Sequence, residues 1–303
     1  MNISRRRMMQ AMAAIPLAGG LPILARADIS IGSAMLTTVS DGHLILPGSF
    51  IFAPMPKDEL GEILAEYGIS GESLEPECNL TLYRDGKNTV LFDVGAGSDF
   101  VPTAGNVLDS LDAAGVTPED VTHVVFTHAH PDHIWGLLDD FDEIVFPDAT
   151  FMMGRAEWDY WWNPETANTI GEARAAHAVG AKRRMTAIED RVQLFDADQE
   201  ILPGIAAVST PGHTPGHMAF EIRQGNTAAL VVGDAIGNHH VAFRRPAWHS
   251  GSDQDAETAA ATRQVLFDRL THEDLTLIGF HLPGGGIGRA EKAGDGYRFV
   301  GAA

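Results

Sequence analysis

The sequence predicts an α/β fold in which two β-sheets pack together with helices outside. Residues 79–97, "NLTLYRDGKNTVLFDVGAG", read as a hairpin: a polar turn, an apolar strand, then an aspartate beside glycine. Residues 220–237, "FEIRQGNTAALVVGDAIG", repeat that pattern, so the two halves of the chain look alike. No low-complexity linker separates them, so residues 28–303 are expected to form one compact domain.

The elements follow in order. In "SAMLTTVSDGHLILP" (33–47), Asp41-Gly42 predicts a turn between two β-rich runs. The next hairpin turns at Asp85-Gly86 and ends at Asp93. In "TAGNVLDSLDAAGV" (103–116), Val107, Leu108, Leu111 and Ala114 share one helical face. "VTHVVFT" (121–127) is a short apolar strand whose C-terminal end delivers a histidine-rich turn, where α/β proteins place their sites. "GEARAAHAVGAKRRMTAIEDR" (171–191) predicts a helix between the halves. The second-half hairpin turns at Gln224-Gly225-Asn226 and ends at Asp234.

Composition narrows the function. Hydrophobic residues make up 45% and charged residues 20%, as in an ordinary globular protein with a real core. A net charge of −20 repels nucleic-acid phosphates and anionic lipid surfaces, which excludes those partners but not a small neutral substrate. Arg5-Arg6 after Ser4 resembles a twin-arginine export signal, and Ala25-Arg26-Ala27 offers small residues at the spacing signal peptidase requires. The apolar run between them is short and broken by Pro16, Gly19-Gly20 and Pro22, a poor spanning helix. Residues 1–27 are therefore expected to be removed, leaving a periplasmic or secreted protein with no membrane attachment. Cys78 is the only cysteine, so no intramolecular disulfide forms, and it is assigned no catalytic role.

"THAHPDH" (127–133) concentrates three histidines and an aspartate in one turn. If the loop is extended, His128 and His130 project to one side and can meet one metal, while Asp132 and His133 project differently and can serve a second. "STPGHTPGHMAF" (209–220) places His213 between two Pro-Gly turns that hold a ligand in position. Asp234 ends a strand and can bridge two ions; "IGFHLPGGGIG" (278–288) presents His281 after a strand.

This order, His-x-His-x-Asp-His, then Pro-Gly-His, then Gly-Asp, then a late histidine, resembles the metallo-β-lactamase fold superfamily over nearly the whole mature chain. The resemblance implies a four-layer αβ/βα sandwich. It implies that His128, His130 and His213 bind one divalent ion, that Asp132, His133 and His281 bind another, and that Asp234 bridges them. Asp132 and Asp234 are then the catalytic carboxylates. Asp93 in "LFDVGAG" matches the strand-end aspartate that supports the ligands rather than joining them. True zinc β-lactamases use a cysteine ligand and lack the bridging aspartate, whereas Cys78 lies outside every ligand block. Blocks such as "FVPTAGNVLDSLDAAGVTPEDV", "EWDYWW" and "GIGRAEKAGDGYRFV" look like the methyl parathion hydrolases. By that likeness Phe100 and Trp161 line the substrate pocket.

The chemistry implied is hydrolysis of an ester, lactone or phosphotriester by a hydroxide shared between two ions, which also hold the developing oxyanion. Nitrogen and oxygen ligands suit Zn2+, with cobalt, manganese or iron as alternatives. Two rival readings are an N-acyl-homoserine lactonase, whose members often carry tyrosine three residues after the bridging aspartate where this chain has Gly237, and a mononuclear iron oxidoreductase of the same fold. A homodimer is compatible with the resemblance.

Other residues have blander readings. His217 is read as structural, His123 as packing in its strand, and His43, His177, His249 and His272 as surface or satisfied polar groups. One of His239-His240, five residues past Asp234, is a candidate for the pocket. Trp158, Trp161 and Trp162 share one helical face, which is core in the simplest reading and a pocket wall in the functional one. Gly284-Gly285-Gly286 is read as a flexible loop.

Overall fold

A computed structural model describes residues 27–302. The export signal predicted over residues 1–27 falls almost entirely outside the described residues. Among these residues, no helix is long and apolar enough to cross a membrane.

Two seven-stranded sheets form the centre. In the first, the strands run Asp28–Ile31, Ala34–His43, Glu77–Arg84, Thr89–Phe92, His123–Phe126, Thr150–Gly154 and Val192–Phe195 across the sheet. In the second, the order is Glu200–Leu202, Ile205–Ser209, Met218–Gln224, Thr227–Val231, Thr276–Ile278, Ile287–Ala293 and Gly296–Gly301. The two predicted hairpins occupy equivalent places. Thr89–Phe92 pairs antiparallel with Glu77–Arg84 and parallel with His123–Phe126. Thr227–Val231 likewise pairs antiparallel with Met218–Gln224 and parallel with Thr276–Ile278. The halves of the chain therefore do repeat one arrangement.

Alternation along the strands separates the layers. Leu36, Tyr83, Phe92 and Val125 meet Phe220, Ile222, Val231 and Ile287 between the sheets. The outer face of the first sheet packs Val124 and Phe126 against Leu111, Met185 and Trp158 from helices. The outer face of the second packs Leu230 and Leu277 against Phe243, Leu266 and Phe267. The result is the expected four-layer αβ/βα sandwich.

Three local expectations need correction. Asp41-Gly42 is not a turn: the strand runs on through Ala34–His43 with a register shift between Ser40 and Gly42. Asp41 turns its buried carboxylate inward to accept from Ala96 N at 2.8 Å and Val107 N at 2.9 Å. On the helix Val107–Ala113, Val107 and Leu111 are buried as expected, but Leu108 faces solvent. Helices Gly48–Phe52 and Lys57–Tyr67 form an excursion that the sequence reading passed over, with its own core of Ile51, Phe52, Met55, Ile63 and Leu64 against Val241.

Candidate metal centre

The seven side chains singled out from the motifs converge at one edge of the sandwich. They fall into two groups, His128, His130, His213 with Asp234, and Asp132, His133, His281 with Asp234. In each group the candidate donor atoms lie within 4.8 Å of one another. Asp234 belongs to both. Its Oδ1 is 3.2 Å from His133 Nε2, and its Oδ2 is 3.3 Å from both His213 Nε2 and His281 Nε2.

Local chain chemistry builds this convergence. The strand His123–Phe126 ends at Thr127, and His130 takes an extended conformation before Pro131 starts a short helical turn carrying Asp132 and His133. Asp93, at the end of the neighbouring strand, accepts from Thr127 N and Thr127 Oγ1, each at 2.8 Å, and pairs with His133 Nδ1 at 2.8 Å. Asp93 thus fixes which nitrogen His133 turns to the centre. Its φ of 64° lies in the left-handed region, a conformation that a non-glycine residue adopts only at a cost. The Pro-Gly-His loop is shaped by close approach. A Cβ on Gly212 would sit 2.2 Å from Ala259 N, and one on Gly216 would sit 2.0 Å from Glu157 N. The loop can therefore press against the helices Ala256–His272 and Arg155–Trp162 only with glycine at those two positions.

The far nitrogens of the other histidines are held as well. His281 Nδ1 donates to Glu77 O at 2.7 Å, and His213 Nδ1 lies 3.1 Å from Asp253 Oδ1. His128 Nδ1 meets Thr127 Oγ1 at 3.0 Å. Such outer partners select the tautomer that presents the other nitrogen to a metal.

These residues fit divalent ions. His130 Nδ1 lies 3.0 Å from His128 Nε2 and 2.9 Å from His213 Nε2, so three imidazole nitrogens face one point. Burial, and then the neighbouring imidazoles, hold His128 and His130 well below the usual histidine range, so both present neutral lone pairs. In the other group, burial opposes charge on His133, but Asp234, Asp132 and Asp93 outweigh it and raise its pKa to about 10. That carboxylate set favours a positive charge beside it. Asp132 Oδ2, His133 Nε2 and Asp234 Oδ1 are buried and make no well-formed hydrogen bond, only ion-pair approaches to one another and to His281, a need that coordination would meet.

The centre forms the floor of a cavity of about 450 Å³. Leu44, Ile51, Met55, Ile69, Val241 and Trp248 supply apolar wall. Phe100 lines it. Trp161 does not: it is 1% exposed, packs behind His130 with ring centroids 5.7 Å apart, and donates Nε1–H to Glu157 Oε1 at 2.6 Å. Trp158 and Trp162 stack at 5.0 Å among core residues, so the tryptophan face is core. His177 is not a bystander; it lines the cavity beside Phe100. Both His239 and His240 line it. His217 is buried against His128 but belongs to neither group, with Nδ1 2.8 Å from Thr210 Oγ1 and Nε2 accepting from Asp234 N at 3.1 Å. Burial pushes the Cys78 thiol up to about 12, which keeps it out of thiolate chemistry. Gly284 N and Gly285 N are tied to the Glu77 carboxylate, each at 3.1 Å, so that loop is braced.

Two supporting acids were missed. Glu157 is fully buried and accepts from Ala129 N at 3.0 Å, Trp161 Nε1, Thr214 Oγ1 at 2.8 Å and Gly216 N at 3.0 Å. It joins the His128–His133 turn to the His213 loop. Asp253, also buried, holds His213 and lies 3.5 Å from Arg263 Nη1.

The chain is 23% identical over 208 residues to an N-acyl homoserine lactonase of a Bacillus species, covering 67% of this chain and 72% of that one. It is 29% identical over 128 residues to the N-acyl homoserine lactonase AttM of Agrobacterium fabrum, covering 41% and 44%. Among solved structures, the dizinc quorum-quenching lactonase AidC superposes with a TM-score of 0.86 at 25% identity, covering 92% of this chain and 98% of that one. The hydrolase AbOPH of the beta lactamase superfamily superposes with a TM-score of 0.86 at 27% identity, covering 93% and 99%. The sequence pattern of the metallo-beta-lactamase superfamily spans residues 75–281, more than half of the chain, and this chain belongs to that superfamily.

Proposed function

We propose that this protein is a binuclear metal-dependent hydrolase of neutral esters, lactones or phosphotriesters. The observation that carries this reading is the pair of four-residue groups sharing Asp234 at the floor of a largely apolar cavity. His128, His130 and His213 would hold one ion, Asp132, His133 and His281 the other, and Asp234 both. Two divalent ions, with zinc the expected metal, supply Lewis-acid polarisation and lower the pKa of water. The protein supplies the rest. Its buried carboxylates, Asp132 and Asp234, face the reacting space, and its walls exclude water from the apolar part of the substrate.

Within that class two finer readings compete. Likeness to the methyl parathion hydrolases rests on the sequence blocks and favours phosphotriesters. The lactonase reading is supported equally well, because several relatives and the AidC neighbour bear that name. Gly237 in place of tyrosine counts against it, although a Cβ at Gly237 would meet only Asp234 O, at 3.9 Å.

Metal analysis and a hydrolysis screen decide these points. Zinc-loaded protein is expected to hold two ions per chain and to hydrolyse at least one of a lactone, an aryl ester and a phosphotriester. Chelation should abolish that activity. One tightly held iron with no hydrolysis would instead favour the mononuclear oxidoreductase.

We also propose export by the twin-arginine route, on the strength of the Arg5-Arg6 pair and the Ala25-Arg26-Ala27 site. Arg5→Lys with Arg6→Lys is expected to leave unprocessed precursor in the cytoplasm, as read by fractionation and immunoblotting. Normal processing of the double variant would refute it.

A further inference from the structure

His281 reaches the centre from a loop with little stiffness of its own. Gly284, Gly285 and Gly286 follow it, with φ of 68°, 83° and 76°, and no side chain restrains that run. The grip on the loop comes from the other sheet, at the start of the strand Glu77–Arg84. Asn79 N donates to Phe280 O at 2.9 Å. Asn79 Nδ2 donates to Phe280 O at 3.0 Å and to Leu282 O at 2.9 Å, the two carbonyls that flank His281 in the chain. Glu77 lies two residues earlier, on the same side of the strand. Its backbone carbonyl accepts from His281 Nδ1 at 2.7 Å, and its carboxylate accepts from Gly284 N and Gly285 N. Asn79 Nδ2 also lies 3.3 Å from Glu77 Oε2, which joins the two side chains into one clamp.

Asn79 is 2% exposed, and its Oδ1 is buried with no hydrogen-bond partner. The residue is therefore kept for its donors. Two carbonyls and a carboxylate face one side-chain atom, and an NH2 suits them where a hydroxyl or a carboxylate would not. The loop closes tightly at its far end as well: a Cβ on Gly286 would sit 2.2 Å from Gly279 O. The other candidate group is held by different partners. Thr127 meets His128, Glu157 ties Ala129 to the His213 loop, and Asp253 holds His213.

We propose that Asn79, acting with Glu77, is the positioning residue for His281, and that it sets the affinity of the Asp132–His133–His281 group for its ion while leaving the His128–His130–His213 group to its own supports. Asn79 touches neither substrate nor reacting atoms; it acts through the two carbonyls beside His281. This rests on the two-ion reading above.

The test is a cobalt titration of metal-free protein, followed by visible absorption and checked by metal analysis, with melting temperature measured alongside. Wild type is expected to take up two cobalt ions per chain. Asn79→Leu keeps the volume but removes the side-chain donors. It is expected to weaken binding of one ion about tenfold or more, within the range typical for partners of a metal ligand, and to leave the other at its wild-type affinity. His281→Ala identifies which ion is lost. Adding Asn79→Leu to His281→Ala should then change the remaining ion's affinity no further, because Asn79 acts only through His281. Equal weakening of both ions, or wild-type affinity for both with only a lower melting temperature, would overturn the inference and leave the two-ion reading standing. Wild type that takes up a single ion fails the two-ion reading itself and overturns both. Should Asn79→Leu not fold, Glu77→Gln decides by the same split, since its NH2 would face one of the loop amides; Glu77 is partly exposed, so the fold tolerates the change.

Discussion

Asp234→Asn is expected to lower metal content below two ions per chain and to cut kcat/KM about a hundredfold or more. Both carboxylate oxygens are committed, Oδ1 toward His133 and Oδ2 toward His213 and His281. Asparagine keeps the shape but replaces one oxygen with an NH2 that has no lone pair for a metal. It also removes the only negative charge that both groups share. The backbone should not suffer, because the Asp234 N–H bond to His217 Nε2 does not depend on the side chain. Metal analysis, melting temperature and kcat/KM measured together separate a lost bridge from a lost fold. Two bound ions and full activity in the variant would sink the binuclear mechanism.

Glu157→Ala should be the most damaging substitution outside the seven candidate ligands. It strands four buried donors, on Ala129, Trp161, Thr214 and Gly216. Each unmet buried donor costs about 1–3 kcal/mol, and the deleted side chain leaves a hole, so a loss of at least about 3 kcal/mol is expected. Glu157→Gln is no mild control. Each carboxylate oxygen accepts two of these bonds, so an amide NH2 would face two donors. Because one acid ties down both the His128–His133 turn and the His213 loop, zinc affinity should fall together with the melting temperature. Denaturation curves and zinc titrations of wild type and variant check this. Wild-type values in both would mean that the loops hold themselves.

The candidate ligands were legible in the sequence because metal sites use residue types that rarely cluster otherwise, set beside Pro-Gly turns whose geometry is local. The hairpins at Asp85-Gly86 and Gln224-Gly225-Asn226 were legible for the same reason. Asp41-Gly42 carries the same signal and misleads, because the Asp41 carboxylate serves distant amides at Ala96 and Val107 instead of a turn. The helix Lys57–Tyr67 did carry signals: Pro56 before it, Asp58 and Glu59 in its first turn, and Gly68 in the left-handed conformation after it. Its apolar face, however, finds a partner only in the excursion and at Val241, far along the chain. Glu157 gave no local sign at all. It sits in a helix among Arg155, Trp158 and Asp159 like any solvent-facing acid, and its loop partners lie 28, 57 and 59 residues away. Trp161 shows the limit of carrying a role over from relatives. Its helical spacing was read correctly, but its indole N–H is spent on Glu157 rather than facing the cavity.

The repeated half-sheets have a thermodynamic corollary. His128, His130, Asp132 and His133 come from the first half of the chain, and His213, Asp234 and His281 from the second. Each of the two groups draws on both halves, so neither half presents a finished site alone. An ion held there would work as a clasp across the seam between two otherwise similar lobes. An ion that bound the docked state and not the separated one would, by mass action, add about 1.4 kcal/mol per site to the docked form for each tenfold rise in free metal above its dissociation constant.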